Sequence, residues 1–83
     1  MIGVIGKEKK IKDPIVESQK IVDNHIKAAT YHESAAMHHR EAAKYQMEGN
    51  SIMAFGCNCK AIDQTNLAKK IQKKNKKKQK GLV

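Results

Sequence analysis

An all-α fold, an antiparallel hairpin of two long helices, follows from three features of the sequence. A single proline, Pro14, opens a long stretch with no helix breaker; Gly49-Asn50-Ser51 interrupts it once; and alanines recur every seven residues on both sides of that interruption. Alanine is the best helix former, and a seven-residue repeat of small apolar side chains keeps one stripe on one helix face.

The elements follow in order. Residues 1–12, with KEKKIK inside them, read as a basic flexible arm. Asp13 is placed to cap the first helix, with Pro14 at its first position and Glu17 near the positive helix end. Nothing then stops the helix before Glu48, so it is expected over about 14–48. Gly49 is a natural C-terminal stop, Asn50 or Ser51 can cap the next helix, and a turn this short forces the two helices antiparallel. The second helix is expected from about 51 to 75, fading into the tail; the hairpin proper is placed at 13–68 and a Lys-rich C-terminal tail at 69–83.

Heptad spacing gives the faces. In the first helix two alanine columns, Ala28/Ala35/Ala42 and Ala29/Ala36/Ala43, enclose a histidine column, His25/His32/His39. In the second, Ala54, Ala61 and Ala68 alternate with Cys57, Gln64 and Ile71, flanked by Met53, Phe55, Ile62 and Leu67. Folding about Gly49 sets residue i roughly opposite 100 − i, which brings His39 to Ala61 and Cys57, and His32 to Ala68 and Gln64. The seam is therefore expected to hold His25, His32, His39 and Gln64 as register-setting polar groups between alanine faces. His38 is expected on another face beside Glu41. Two helices cannot cover each other's flanking apolar residues, so a homodimer forming a four-helix bundle is the expected assembly.

Size and composition bear on function. At 83 residues with 4% aromatic content the chain can bury little core. Its net charge of +9 is uneven: residues 1–12 carry +3, residues 13–68 carry −2, and residues 69–83 carry +8 from eight lysines with no acid. The charge thus lies at the ends of a nearly neutral scaffold. Neither a secretory signal nor a transmembrane run is expected, and Cys57 and Cys59 diverge by about 200° on a helix, so a reduced, cytoplasmic setting is the simplest expectation.

The histidines invite a metal reading, but members of the column lie about 10.5 Å apart along the axis and cannot share one ion. No metal site and no cofactor is expected within one chain. The alternative, a His₂Cys₂ site, would need His39 and Cys57 from two chains, and a seam loosened by histidine protonation is a further alternative. No acid/base pair, activated nucleophile or phosphate-binding loop can be named, so neither an enzyme nor a small-molecule substrate is implied. The basic block KKIQKKNKKKQK supplies Lys69, Lys70, Lys73, Lys74, Lys76, Lys77, Lys78 and Lys80 as candidate polyanion contacts. It holds no arginine and no aromatic residue, which favours non-specific attraction to nucleic acid or another polyanion through counterion release. Anionic membrane surfaces would attract the same block.

The frame AATYHESAAMHHREAAKYQMEGN resembles small bacterial His/Ala-rich helical-hairpin proteins of uncharacterised activity, which repeat histidine and alanine pairs before a Gly-Asn turn and a second helix. The second helix here departs from that pattern, carrying Cys57 and Cys59 in place of histidine. AAKYQMEGNSIMAFGCNCKAI is less closely similar to a single tetratricopeptide-type hairpin. Both resemblances imply the hairpin and neither implies an activity. The functional expectation is a non-enzymatic, self-associating polyanion binder; the alternatives are a protein–protein adaptor hairpin and, less favoured, a metal-binding bundle.

Overall fold

A computed structural model describes residues 13–82, with the side chain of Leu82 left out. The basic arm expected at 1–12 lies outside the described residues, as does Val83. Two helices, α1 (Pro14–Met47) and α2 (Ser51–Leu82), pack against each other as a hairpin. The result is a rod of 66 × 24 × 15 Å.

Local chemistry accounts for the ends. Asp13 adopts extended backbone and its Oδ1 accepts a 2.9 Å hydrogen bond from the Ile15 N–H, the N-cap that the Asp-Pro pair predicts. α1 stops in a Schellman turn. The Gly49 N–H donates to the Gln46 carbonyl at 3.0 Å, and the Asn50 N–H reaches back to the Tyr45 carbonyl at 2.8 Å. This closure puts Gly49 at φ 79°, where a side chain would be strained. Asn50 then caps α2, its Oδ1 accepting from the Met53 N–H at 3.1 Å. One three-residue turn thus ends one helix and starts the next.

The seam follows the heptad repeat, but along a different line on α1 from the one expected. Its buried members are Ile21, Ala28 and Ala35, with Ala42 half-buried; a second column supplies Glu17, Asn24, Tyr31, His38 and Tyr45. Opposite them on α2 lie Ala54, Ala61, Ala68 and Asn75, alternating with Cys57, Gln64, Ile71 and Lys78. Ala61 and Ala68 are 0% exposed, since each Cβ faces a helix that can approach closely over the alanines of α1.

Three expectations are corrected. His25, His32 and His39 are exposed, along with Ala29 and Ala43, so the histidine column runs beside the seam rather than inside it. The half-buried histidine of the seam is His38, which keeps its expected partner Glu41 through a 2.9 Å contact from Nδ1 to Oε1. Only one alanine column can face α2, and the half-buried rings of Tyr31 and Tyr45 sit beside Ala28, Ala35 and Ala42, filling the layers between them. Thr65, half-buried beside the seam, donates its hydroxyl to the Ala61 carbonyl at 3.0 Å. Gln64 does lie on the seam, half-buried.

α2 also continues past its expected end near 75, to Leu82. Seam spacing persists there with polar side chains. The Asn24 amide donates to Asn75 Oδ1 at 3.0 Å, and the Asn75 amide donates to the Ile21 carbonyl at 3.0 Å. Lys78 Nζ pairs with Glu17 Oε1 at 3.0 Å, while Lys20 approaches Glu17 Oε2 at 3.4 Å. The 100 − i rule would have set Asn24 against 76 and Glu17 against 83, so the real register is shifted by a few residues. Glu17 (5% exposed) and Asn75 (3%) are the buried polar groups of the described chain, and no buried side-chain nitrogen or oxygen there lacks a partner.

Candidate nucleic-acid interface

The seam divides the hairpin surface into two broad faces and two outer edges. Beneath the last three turns of α2, Ile71, Asn75 and Lys78 are held against α1. The remaining lysines of the segment, Lys69, Lys70, Lys73, Lys74, Lys76, Lys77 and Lys80, are exposed. The expected polyanion residues are therefore split: seven point to solvent from an ordered helix and Lys78 serves the fold. Lys69, Lys73, Lys76 and Lys80 follow one another at helical neighbour spacing, with Cβ atoms about 5–6 Å apart along the outer side of α2.

One broad face joins the histidine column of α1 and its outer neighbour column (Ile15, Val22, Ala29, Ala36, Ala43) to the flank of α2 that carries Phe55, Ile62, Lys69 and Lys76. No Asp or Glu of either helix occupies these columns. Near the turn this face holds a shallow groove with Ala42, Ala43 and Ala54 as floor and Gln46, Phe55 and Asn58 on its walls. The opposite broad face mixes signs. Lys27 and Lys74 border a groove over Tyr31 and Ile71, while Asp23, Glu41 and Asp63 share its columns with exposed Val16, Met37, Met53 and Leu67.

His39 is exposed on the histidine column of α1, Cys57 is buried on the seam side of α2, and Cys59 is exposed on the outer edge. Among the described residues no group of three or more His, Cys, Asp or Glu could hold a metal ion. None of the described helices is long and apolar enough to cross a membrane.

Sequence reasoning missed the Asn24–Asn75 and Glu17–Lys78 layers. Their signal was present: Asn75 and Lys78 extend the spacing of Ala68 and Ile71, and Glu17 and Asn24 extend that of Tyr31 and Tyr45. Comparison of the chain with protein-family models, with curated proteins and with solved structures finds no match in any of the three.

Proposed function

We propose that this is a non-enzymatic, self-associating helical hairpin that binds nucleic acid through the lysine-bearing end of α2. The observation that carries this reading is the split among the lysines. Ion pairing of Lys78 with Glu17, and the asparagine layer beside it, support the segment as helix and leave seven ammonium groups outward with no acid among them. A row of cations at this density attracts phosphates by releasing their condensed counterions, whatever the sequence. Exposed Val16, Met37, Met53 and Leu67 on the mixed-charge face support pairing of two hairpins there into a four-helix bundle. Two lysine rows per dimer would raise affinity through effective concentration alone. Free Cys57 and Cys59 suit a reduced, cytoplasmic setting.

Salt titration tests the reading. DNA and RNA binding is measured at several salt concentrations for the intact chain and for Lys69→Gln/Lys73→Gln/Lys76→Gln/Lys80→Gln, which spares Lys78 and so spares the seam. The expected outcome is binding that weakens linearly in log–log form with salt, its slope shallower by about one unit per lysine removed. Salt-independent binding, or no binding, refutes it. The second reading, an adaptor hairpin docking a partner helix, draws on the uncovered Met47, Ile52 and Phe55 at the turn end. It would show instead as binding to a protein partner that Phe55→Ala weakens and salt does not.

A further inference from the structure

We infer that the carboxylate-free broad face binds single-stranded nucleic acid, with lysines of α2 anchoring phosphates at the open end and His25, His32, His39 and Phe55 offering rings to the bases along the rest. This deepens the polyanion reading and rests on it.

Three observations converge on this face. The first is charge. Lys69 and Lys76 stand on it and Lys73 and Lys80 along its rim, while the carboxylates of α1 and α2 lie on the seam, the opposite face or the outer edge, Glu33 included. A polyanion laid here meets attraction at one end and no repulsion from its own columns.

The second is the histidine column. These three rings are exposed and take no part in the seam, so packing within the hairpin does not account for them. They stand in line at intervals of about 10.5 Å; Ile21 and Val22 precede His25, Ala28 and Ala29 precede His32, and Ala35 and Ala36 precede His39. Around His32 and His39 the neighbouring turns at three and four residues carry only alanine, which leaves room beside the rings. The Asn24–Asn75 contact fixes the helices so that His25 lies level with the lysine segment.

The third is Phe55, 69% exposed beside the groove near the turn and on the same face as the histidines. Gln46 and Asn58 border that groove with amides suited to base edges. Bases stack on histidine and phenylalanine only when splayed from a partner strand, which a duplex forbids. A basic track leading onto a row of rings therefore matches a single strand. A purely electrostatic ridge would have no use for the rings.

The test uses the full chain and fluorescence anisotropy at fixed salt with a labelled single-stranded 20-mer and the duplex of the same sequence. Three proteins are compared: intact, His25→Ala/His32→Ala/His39→Ala, and His25→Lys/His32→Lys/His39→Lys, each checked by circular dichroism and sedimentation. Exposed histidines leave the seam intact when changed, so folding is retained. Intact protein is expected to prefer the single strand by roughly tenfold or more, given the usual worth of aromatic stacking. The alanine variant should lose about that factor on the single strand while its duplex affinity stays within about twofold. The lysine variant should bind both forms more tightly without regaining the preference, which separates rings from charge. An unchanged single-strand to duplex ratio in the alanine variant overturns the inference and leaves the polyanion reading standing. So does a changed oligomeric state, which would make this face a contact between copies. Absence of binding to either form by the intact chain overturns both.

Discussion

Asn75 is the residue on which the polar half of the seam turns. Its side chain is almost fully enclosed, accepts from Asn24 and donates to the Ile21 carbonyl, so both ends of one amide are used in crossing from α2 to α1. Asn75→Ala should destabilise the hairpin by about 1–3 kcal/mol, because it leaves the Asn24 amide facing a cavity without its partner. Chemical denaturation monitored by circular dichroism measures this. Replacing both, Asn24→Leu/Asn75→Leu, should instead leave stability equal or higher, since an apolar pair removes the desolvation cost along with the bond. That double variant is expected to lose uniqueness: alanine layers repeat every seven residues, and without the amide pair a slipped alignment becomes competitive. Broadened or doubled amide resonances would show it, and a single sharp set would refute a register role. The same scale explains why the histidines misled. A column set between two alanine columns reads as their centre, yet a helix presents only one stripe to its partner, and the rings of Tyr31 and Tyr45 mark the stripe chosen.

At the scale of elements, what was legible was local. Asp13, Pro14, Gly49 and Asn50 act through backbone hydrogen bonds within a turn of themselves, so both helices and the turn could be read from the sequence. The continuation of α2 to Leu82 was not, because eight lysines read as a solvated tail unless their long apolar stems and the Lys78–Glu17 pair are taken into account. Two glycines separate these effects in a single measurement. Gly49 sits at φ 79° with open space where a side chain would go, so Gly49→Ala meets backbone strain alone and should cost about 1–2 kcal/mol. Gly56 lies inside α2 with equally open space, and Gly56→Ala should raise stability by roughly 0.5–1 kcal/mol through helix propensity. Thermal melts moving in opposite directions would confirm the assignment. A neutral Gly49→Ala would mean that the turn does not hold its left-handed conformation.

Across the whole molecule, stability and charge density compete at the open end of the rod. The radius of gyration is 19.1 Å, against about 12 Å for a compact globule of this length, and among the described residues no third element packs across the hairpin. The alanine layers near the turn are small and apolar, whereas the far end is held by an amide pair and an ion pair beneath a dense row of like charges. Five lysine pairs lie at i,i+4 within residues 69–80, from Lys69–Lys73 to Lys76–Lys80, one of them through Lys78. At roughly 0.2–0.5 kcal/mol each, their repulsion opposes the open end by about 1–2.5 kcal/mol at low ionic strength. Screening shortens from about 30 Å at 0.01 M salt to near 3 Å at 1 M, below the spacing of neighbouring lysines. Hydrogen exchange should therefore show a gradient along α2. Amides of residues 70–80 should exchange faster than those of 57–68 in dilute buffer, then slow by roughly five- to seventyfold when salt or an oligonucleotide neutralises the row. Residues 57–68 should change little, because no lysine cluster strains them. Uniform protection along α2, or protection at 70–80 that ignores both salt and oligonucleotide, would show that the charge row is not what limits the open end. A response to oligonucleotide that exceeds the response to salt at equal screening would place bound phosphate on the row itself, ordering the segment as it binds.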